Sequence, residues 1–234
     1  MTSLHGPASP LAPTPQVSEH QSHSLDFEVV IVGAGMVGST LAAALGQAGI
    51  RVGLIEGRDL SQGVGPDGRA SALALGTARI LERIGVWPRM QAWGVSPIHR
   101  IQISDGGSPW GAQLRRETLQ APALGYIVEN KITQKALLHR IRECPSVTVV
   151  SPAQVQGFRP EADHMQVELS GEGLPGCLRT ALLVGADGSR SQLREWAGIP
   201  LSRWGYGQVC IVSTLTHEQP HRQVAYERFQ TSGP

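Results

Sequence analysis

The sequence predicts an α/β fold built on a parallel sheet, and three observations carry that prediction. Phe27 to Val32 is an apolar, β-branched run with the length of a buried strand. Glycines stand directly after it at positions 33, 35 and 38, and an Ala-rich segment through Leu45 follows with helical spacing. A second apolar run, Ile50 to Ile55, ends on an acid, Glu56. Together they form a strand–helix–strand unit of about thirty residues, the size of one parallel crossover.

The junction in this unit has a GxGxxG pattern, and each position has a physical task. Gly33 permits the tight turn, Gly35 lets backbone approach a pyrophosphate, and Gly38 lets the helix lie close on the sheet. Met36 and Val37 open the helix, where free amides and the helix dipole favour phosphate. A carboxylate at Glu56 can accept both ribose hydroxyls of an adenosine and would repel a 2′-phosphate. The pattern therefore predicts FAD or NAD rather than NADP. The competing interpretation is a glycine-rich sheet turn with a solvent-exposed Glu.

At 234 residues the chain can bury a substantial core as one large domain or two small ones. Its formal net charge of +1 gives no general attraction to nucleic acid or acidic membranes. Cys144, Cys177 and Cys210 are odd in number and widely spaced, which predicts neither a disulfide framework nor a zinc site. A reducing, cytoplasmic setting follows as the expectation. No apolar run reaches the length of a membrane span. Residues 1–26 are rich in Ser, Pro, His and Gln and predict a disordered tail, without the apolar core of a signal peptide. Its His5, His20 and His23 are irregularly spaced, and no metal site is expected.

After the nucleotide unit comes a glycine-rich loop from Asp59 to Gly68, then Arg69 to Leu73, then a helix over 77–84 stopped by Gly85. Arg69 stands where a loop re-enters packed structure. It suits either a phosphate or flavin ribityl contact, or a surface ion pair. Ile98 to Asp105 alternates apolar and polar, and Ala112 to Arg116 is its antiparallel partner across Gly106–Gly107. These belong to a second sheet. Leu124 to Asn130 leads into a helix over 132–142, ended by Pro145. Strands are expected at 147–150, 154–158, 164–169 and 178–184, the middle pair forming a β-meander.

A second motif follows, Val184-Gly185-Ala186-Asp187-Gly188-Ser189-Arg190-Ser191. An apolar strand runs into a glycine turn and a polar helix start, the place where ligands sit in a doubly wound sheet. Asp187 can accept from a ribityl hydroxyl, or it can cap the following helix. From Trp204 onward the alternation returns, with Val209, Ile211 and Leu215 against polar neighbours, then Arg222 to Phe229. Further strands of the second sheet are expected there.

Taken in order, GAGMVG with Glu56, Arg69-Ala70-Ser71-Ala72-Leu73, Gly125 to Asn130, the Asp187 motif and Tyr226-Glu227-Arg228-Phe229 resemble class A FAD-dependent aromatic hydroxylases. Within that group the chain is most similar to the ubiquinone-biosynthesis hydroxylases. The resemblance implies a Rossmann-like FAD-binding domain of the p-hydroxybenzoate-hydroxylase type, with an incomplete mixed β-sheet substrate domain. It divides the chain into an FAD-binding part (27–94 and 120–199) and a substrate-sheet part (95–119 and 200–234). Carried over residue by residue, Gly33, Gly35 and Gly38 match the pyrophosphate loop and Glu56 the adenosine ribose ligand. Arg69 matches the arginine on the flavin side, Asn130 a contact at a helix start, and Asp187 a motif tied to FAD and NAD(P)H. Val155 is expected to present backbone to the adenine.

The implied chemistry is reduction of FAD by NAD(P)H, then hydroxylation by O2 of a polyprenylated phenol. No catalytic residue is nominated, because no nucleophile–base or paired-carboxylate constellation occurs. The family's later Gly-Asp motif has no counterpart in this sequence. The expectation is therefore an N-terminal part of a hydroxylase, binding FAD weakly and not hydroxylating alone. The open sheet would then be covered by the missing C-terminal part or by a partner. A peripheral association with the inner membrane, or with a biosynthetic complex, fits so greasy a substrate. An NAD-dependent dehydrogenase and a non-catalytic interaction module are the competing readings.

Overall fold

The structure, a computed structural model, describes residues 26–65, 67–107, 110–231 and 233. Residues 1–25 of the predicted tail, with its three histidines, lie outside the described residues. The strand β1 (Phe27–Val32) runs through the middle of a six-stranded sheet. It pairs in parallel with β2 (Val52–Ile55) on one side and with β11 (Cys177–Gly185) on the other. Beyond β2 lies β8 (Val147–Val150), also parallel. Beyond β11 the sheet turns antiparallel through β10 (Met165–Ser170) to β9 (Gln154–Pro160), the expected meander.

Val29 to Val32 are all buried because helices or strands cover both faces of β1. That explains a continuous apolar run in place of an alternating one. Alternate side chains feed two cores. Val29 and Ile31 pack with Leu54, Leu137 and Ile141 beneath the helices α1 (Met36–Gln47) and α4 (Asn130–Arg142). Val30 and Val32 pack with Ile55, Val155, Val167 and Leu193 on the meander side.

Three features differ from the sequence expectations. A helix α3 (Trp87–Gly94) follows α2 (Leu75–Arg83), with a proline in its first turn and Trp87 and Met90 buried. The segment 124–130 forms β7 (Gly125–Glu129), the centre of a small sheet with β3 (Ala70–Ala74) and β4 (Val95–Ile98). A separate strand, β4, precedes the strand expected over 98–105, whose antiparallel pairing with 112–116 forms as expected. β4 pairs with β7, whereas β5 (Arg100–Asp105) pairs with β6 (Gly111–Arg115) and, in parallel, with β12 (Val224–Phe229). His99 is the only residue between them, and the chain changes sheets there.

The strands expected between Trp204 and Leu215 do not form. Residues 200–223 carry no strand or helix, and Val209 and Ile211 are 95% and 92% exposed. Alternation prepares a segment to be a strand, but a strand also requires a neighbour to receive its hydrogen bonds. Within the described residues none is paired with this segment, whereas β12 obtains its partner in β5.

Among the described residues no helix is long and apolar enough to cross a membrane.

Candidate functional site

The glycine turn is built by backbone crowding. Gly33 has φ +104°, a left-handed conformation, and a Cβ there would overlap the Ala186 carbonyl. A Cβ on Gly38 would overlap the Gly33 carbonyl. These two glycines are thus required by the close approach of turn, helix and β11. Gly35 is different. Its backbone is ordinary, and nothing lies within 4 Å of a Cβ placed on it. It faces open space at the N-terminus of α1, where the first amides have no acceptor inside the helix.

Glu56 closes the same turn from the end of β2. Its Oε2 accepts the Ala34 amide at 2.9 Å, and its Oε1 accepts both the backbone N–H and the Nε of Arg58 at 3.0 Å. The side chain is only 12% exposed. Burial pushes its carboxyl upward, but hydrogen bonds from Arg58 and the Ala34 amide outweigh that and hold it below the usual carboxylate range. It is therefore an anion at neutral pH. The solvent-exposed Glu of the competing interpretation is not what is found.

Gly33, Gly35, Glu56, Val155 and Asp187 line one cleft of about 620 Å³ between the ends of β1, β2 and β11. That volume lies within the range of small-molecule and cofactor sites. Val155 sits in β9, buried in the core, and lines the cleft wall. Of the two tasks expected of Asp187, the structure displays the helix-capping one. Its Oδ1 accepts from Ser191 Oγ at 2.6 Å, and its Oδ2 from the amides of Gln192 and Leu193 at 2.9 and 3.3 Å. It thus braces the start of the short helix α5 (Gln192–Trp196) while facing the cleft.

Arg69 and Asn130 come together at a second place. The Asn130 amide donates to the Arg69 carbonyl at 3.0 Å, and its side chain donates to Asp67 and accepts from Ser71 Oγ. The Arg69 guanidinium is 73% exposed and forms a two-point pair with Asp67 at 2.9 Å. The Asp67 carboxyl is held far below its ordinary value, chiefly by hydrogen bonds from Arg69 and also by Asn130. Of the two expectations for Arg69, the ion pair is the one its geometry displays.

Sequence reading missed what joins the two places. Gln134, one helical turn after Asn130 on α4, donates from Nε2 to the Ala34 carbonyl at 3.1 Å. Buried Ser39 donates to the same carbonyl at 3.0 Å. Four residues of helix rise about 6 Å, so α4 spaces the Arg69 segment from the glycine turn. A glutamine in a helix carries no local signal of such a contact.

Comparison with known proteins identifies the family. The family described as FAD binding domain matches residues 26–232. Ubiquinone hydroxylase UbiL of Rhodospirillum rubrum is 42% identical over 209 residues, spanning 88% of this chain and 48% of that protein. The 3-demethoxyubiquinol 3-hydroxylase of Escherichia coli is 33% identical, over 88% of this chain and 53% of its own length. Among solved structures, p-nitrophenol 4-monooxygenase PnpA from Pseudomonas putida superposes with a TM-score of 0.64 at 26% identity, covering 74% of this chain and 43% of that one. Aklavinone-11 hydroxylase, solved with FAD and aklavinone, gives 0.62 at 25% identity, over 75% and 35% of the two chains. The chain spans about half the length of the curated relatives it matches.

Proposed function

The chain belongs to the FAD binding domain family, and on that premise we propose that it is the FAD-holding part of an aromatic hydroxylase. The substrate class is a polyprenylated ubiquinone precursor, and the co-substrates are NAD(P)H and O2. The observation that carries the reading is the hydrogen bond from the Ala34 amide to Glu56 beside an open Gly35. An anionic carboxylate and the helix-opening turn stand side by side in one cleft. That is the donor and acceptor set an ADP moiety requires: amides for pyrophosphate, carboxylate for ribose.

In this reading Gly33, Gly35, Met36, Val37 and Gly38 form the pyrophosphate cradle, and Glu56 accepts the ribose hydroxyls. Val155 offers backbone to the adenine. Asp187, already fixed by Ser191 and the α5 amides, presents its carboxylate toward the ribityl chain. Arg69 and Asn130 stand on the flavin side, with Asp67 holding the guanidinium until a ligand competes for it. Bound FAD supplies the oxygen chemistry after reduction by NAD(P)H; the residues named here bind it, orient it and exclude water. We assign 27–94 and 120–199 to the FAD unit and 95–119 with 200–234 to the substrate-sheet part, apart from β4 (Val95–Ile98), which pairs with β7 of the FAD unit. The greasy substrate supports work at a membrane surface or within a biosynthetic assembly.

A thermal-shift titration tests the binding claim. A ligand that binds only the folded chain raises its melting temperature with concentration. FAD is expected to do so, with the shift growing up to high ligand concentration as weak binding requires. A melting temperature unmoved by FAD contradicts the reading.

A further inference from the structure

Resting on the FAD reading above, we infer that Gln134 is a positioning residue for the pyrophosphate cradle. The Ala34–Gly35 peptide is gripped at its carbonyl, which accepts from Ser39 Oγ and Gln134 Nε2 at 3.0 and 3.1 Å. In a trans peptide the C=O and the following N–H point in opposite directions. A carbonyl directed inward at Ser39 and Gln134 therefore directs the Gly35 N–H outward, on the side where Gly35 meets the cleft. The preceding Ala34 N–H is engaged separately by Glu56. With both peptides flanking Ala34 held, the first amide of the cradle cannot rotate away from an anion.

The two donors on the carbonyl differ in what they secure. Ser39 lies within α1, five residues on, and is wholly buried, so it accompanies the turn wherever the turn goes. Gln134 reaches across from α4, a hundred residues later, and ties the turn to a separate element. The same helix carries Asn130 one turn earlier, bonded to Asp67 and Ser71. Gln134 thus sets where the cradle lies relative to the Arg69 segment. Removing it leaves the carbonyl satisfied by Ser39, so the folded chain loses little while the aim of the Gly35 amide loosens.

The experiment uses the full chain and its Gln134→Leu, Gln134→Glu and Gln134→Lys variants. FAD affinity is read by flavin fluorescence and stability by the melting temperature without FAD. Loss of one oriented hydrogen bond predicts a dissociation constant about five- to tenfold higher for Q134L and Q134E. The FAD-free melting temperatures should stay close to the parent's. Q134K, which restores a donor on a stem of similar reach, should recover affinity to within about twofold of the parent. Folded Q134L or Q134E binding FAD as the parent does would overturn the inference, as would a fall in stability with affinity unchanged. A parent chain that shows no saturable binding would instead overturn the FAD reading itself.

Discussion

The six-stranded sheet and the β5–β6–β12 sheet are both built from short strands, yet they differ in sequence and in what covers them. In the first, β1 has parallel neighbours on both edges, and Val30 and Ile31 are fully buried on opposite faces. In the second, every residue of β6 is exposed, Tyr226 and Phe229 of β12 are 69% and 49% exposed, and the segment before β12 has no strand. The contrast teaches that the nucleotide unit is held by its own sequence, whereas the second sheet lacks a covering layer among the described residues. Apolar side chains such as Ile211 there contribute nothing to the buried core.

The largest effect expected on the first region comes from its backbone crowding. Gly38→Val would drive a branched side chain into the Gly33 carbonyl, costing about 3 kcal/mol or more. A thermal melt followed by circular dichroism should show the chain unfolded or its transition lowered by many degrees.

The comparison between regions is sharpened by a matched pair. Ile31→Ala should cost about 3 kcal/mol in urea unfolding, because Ile31 is completely buried between β1 and the α1–α4 layer. Ile211→Ala, at 92% exposure, should stay within about 0.5 kcal/mol. Equal losses at the two positions would break the contrast.

Glu56 comes next. Glu56→Ala removes the acceptor for Ala34 and Arg58 and should weaken FAD binding by about tenfold or more in a fluorescence titration. Its carboxyl is depressed in the folded chain, so its contribution is complete above the ordinary value of 4.5 and lost as pH falls through the folded value. Stability measured down a pH series should therefore decline on the acid side below about 4.5 in the parent. Glu56→Gln should make that decline shallower without abolishing it, since Asp67 and Glu143 are depressed as well.

The smallest effect belongs to Arg69. Its pair with Asp67 is surface-exposed, so Arg69→Ala should leave the thermal melt close to the parent's. A few-fold change in FAD affinity in the same variant would mark a contact on the flavin side.

What was legible in the sequence follows the range over which each feature is decided. The run Phe27–Val32, the three glycines and Glu56 are settled within thirty residues, and the structure joins them by the Ala34–Glu56 hydrogen bond. The meander was legible for the same reason: its strands are neighbours in sequence and in space. Residues 204–215 misled because alternation records which face a strand would bury, not whether a partner exists. The switch of sheets at His99 left no mark, since Val95 to Asp105 stays extended throughout. Gln134 was invisible because its partner is a backbone carbonyl a hundred residues away.

The most direct measurement is a fluorescence titration of the purified chain with FAD, repeated with ADP and with FMN as competitors. The proposed site, the glycine turn with Glu56, would grip the ADP half. FAD should bind saturably at one per chain, ADP should displace it, and FMN should not. Displacement by FMN with ADP inert would contradict the account, as would binding that Glu56→Ala leaves unchanged.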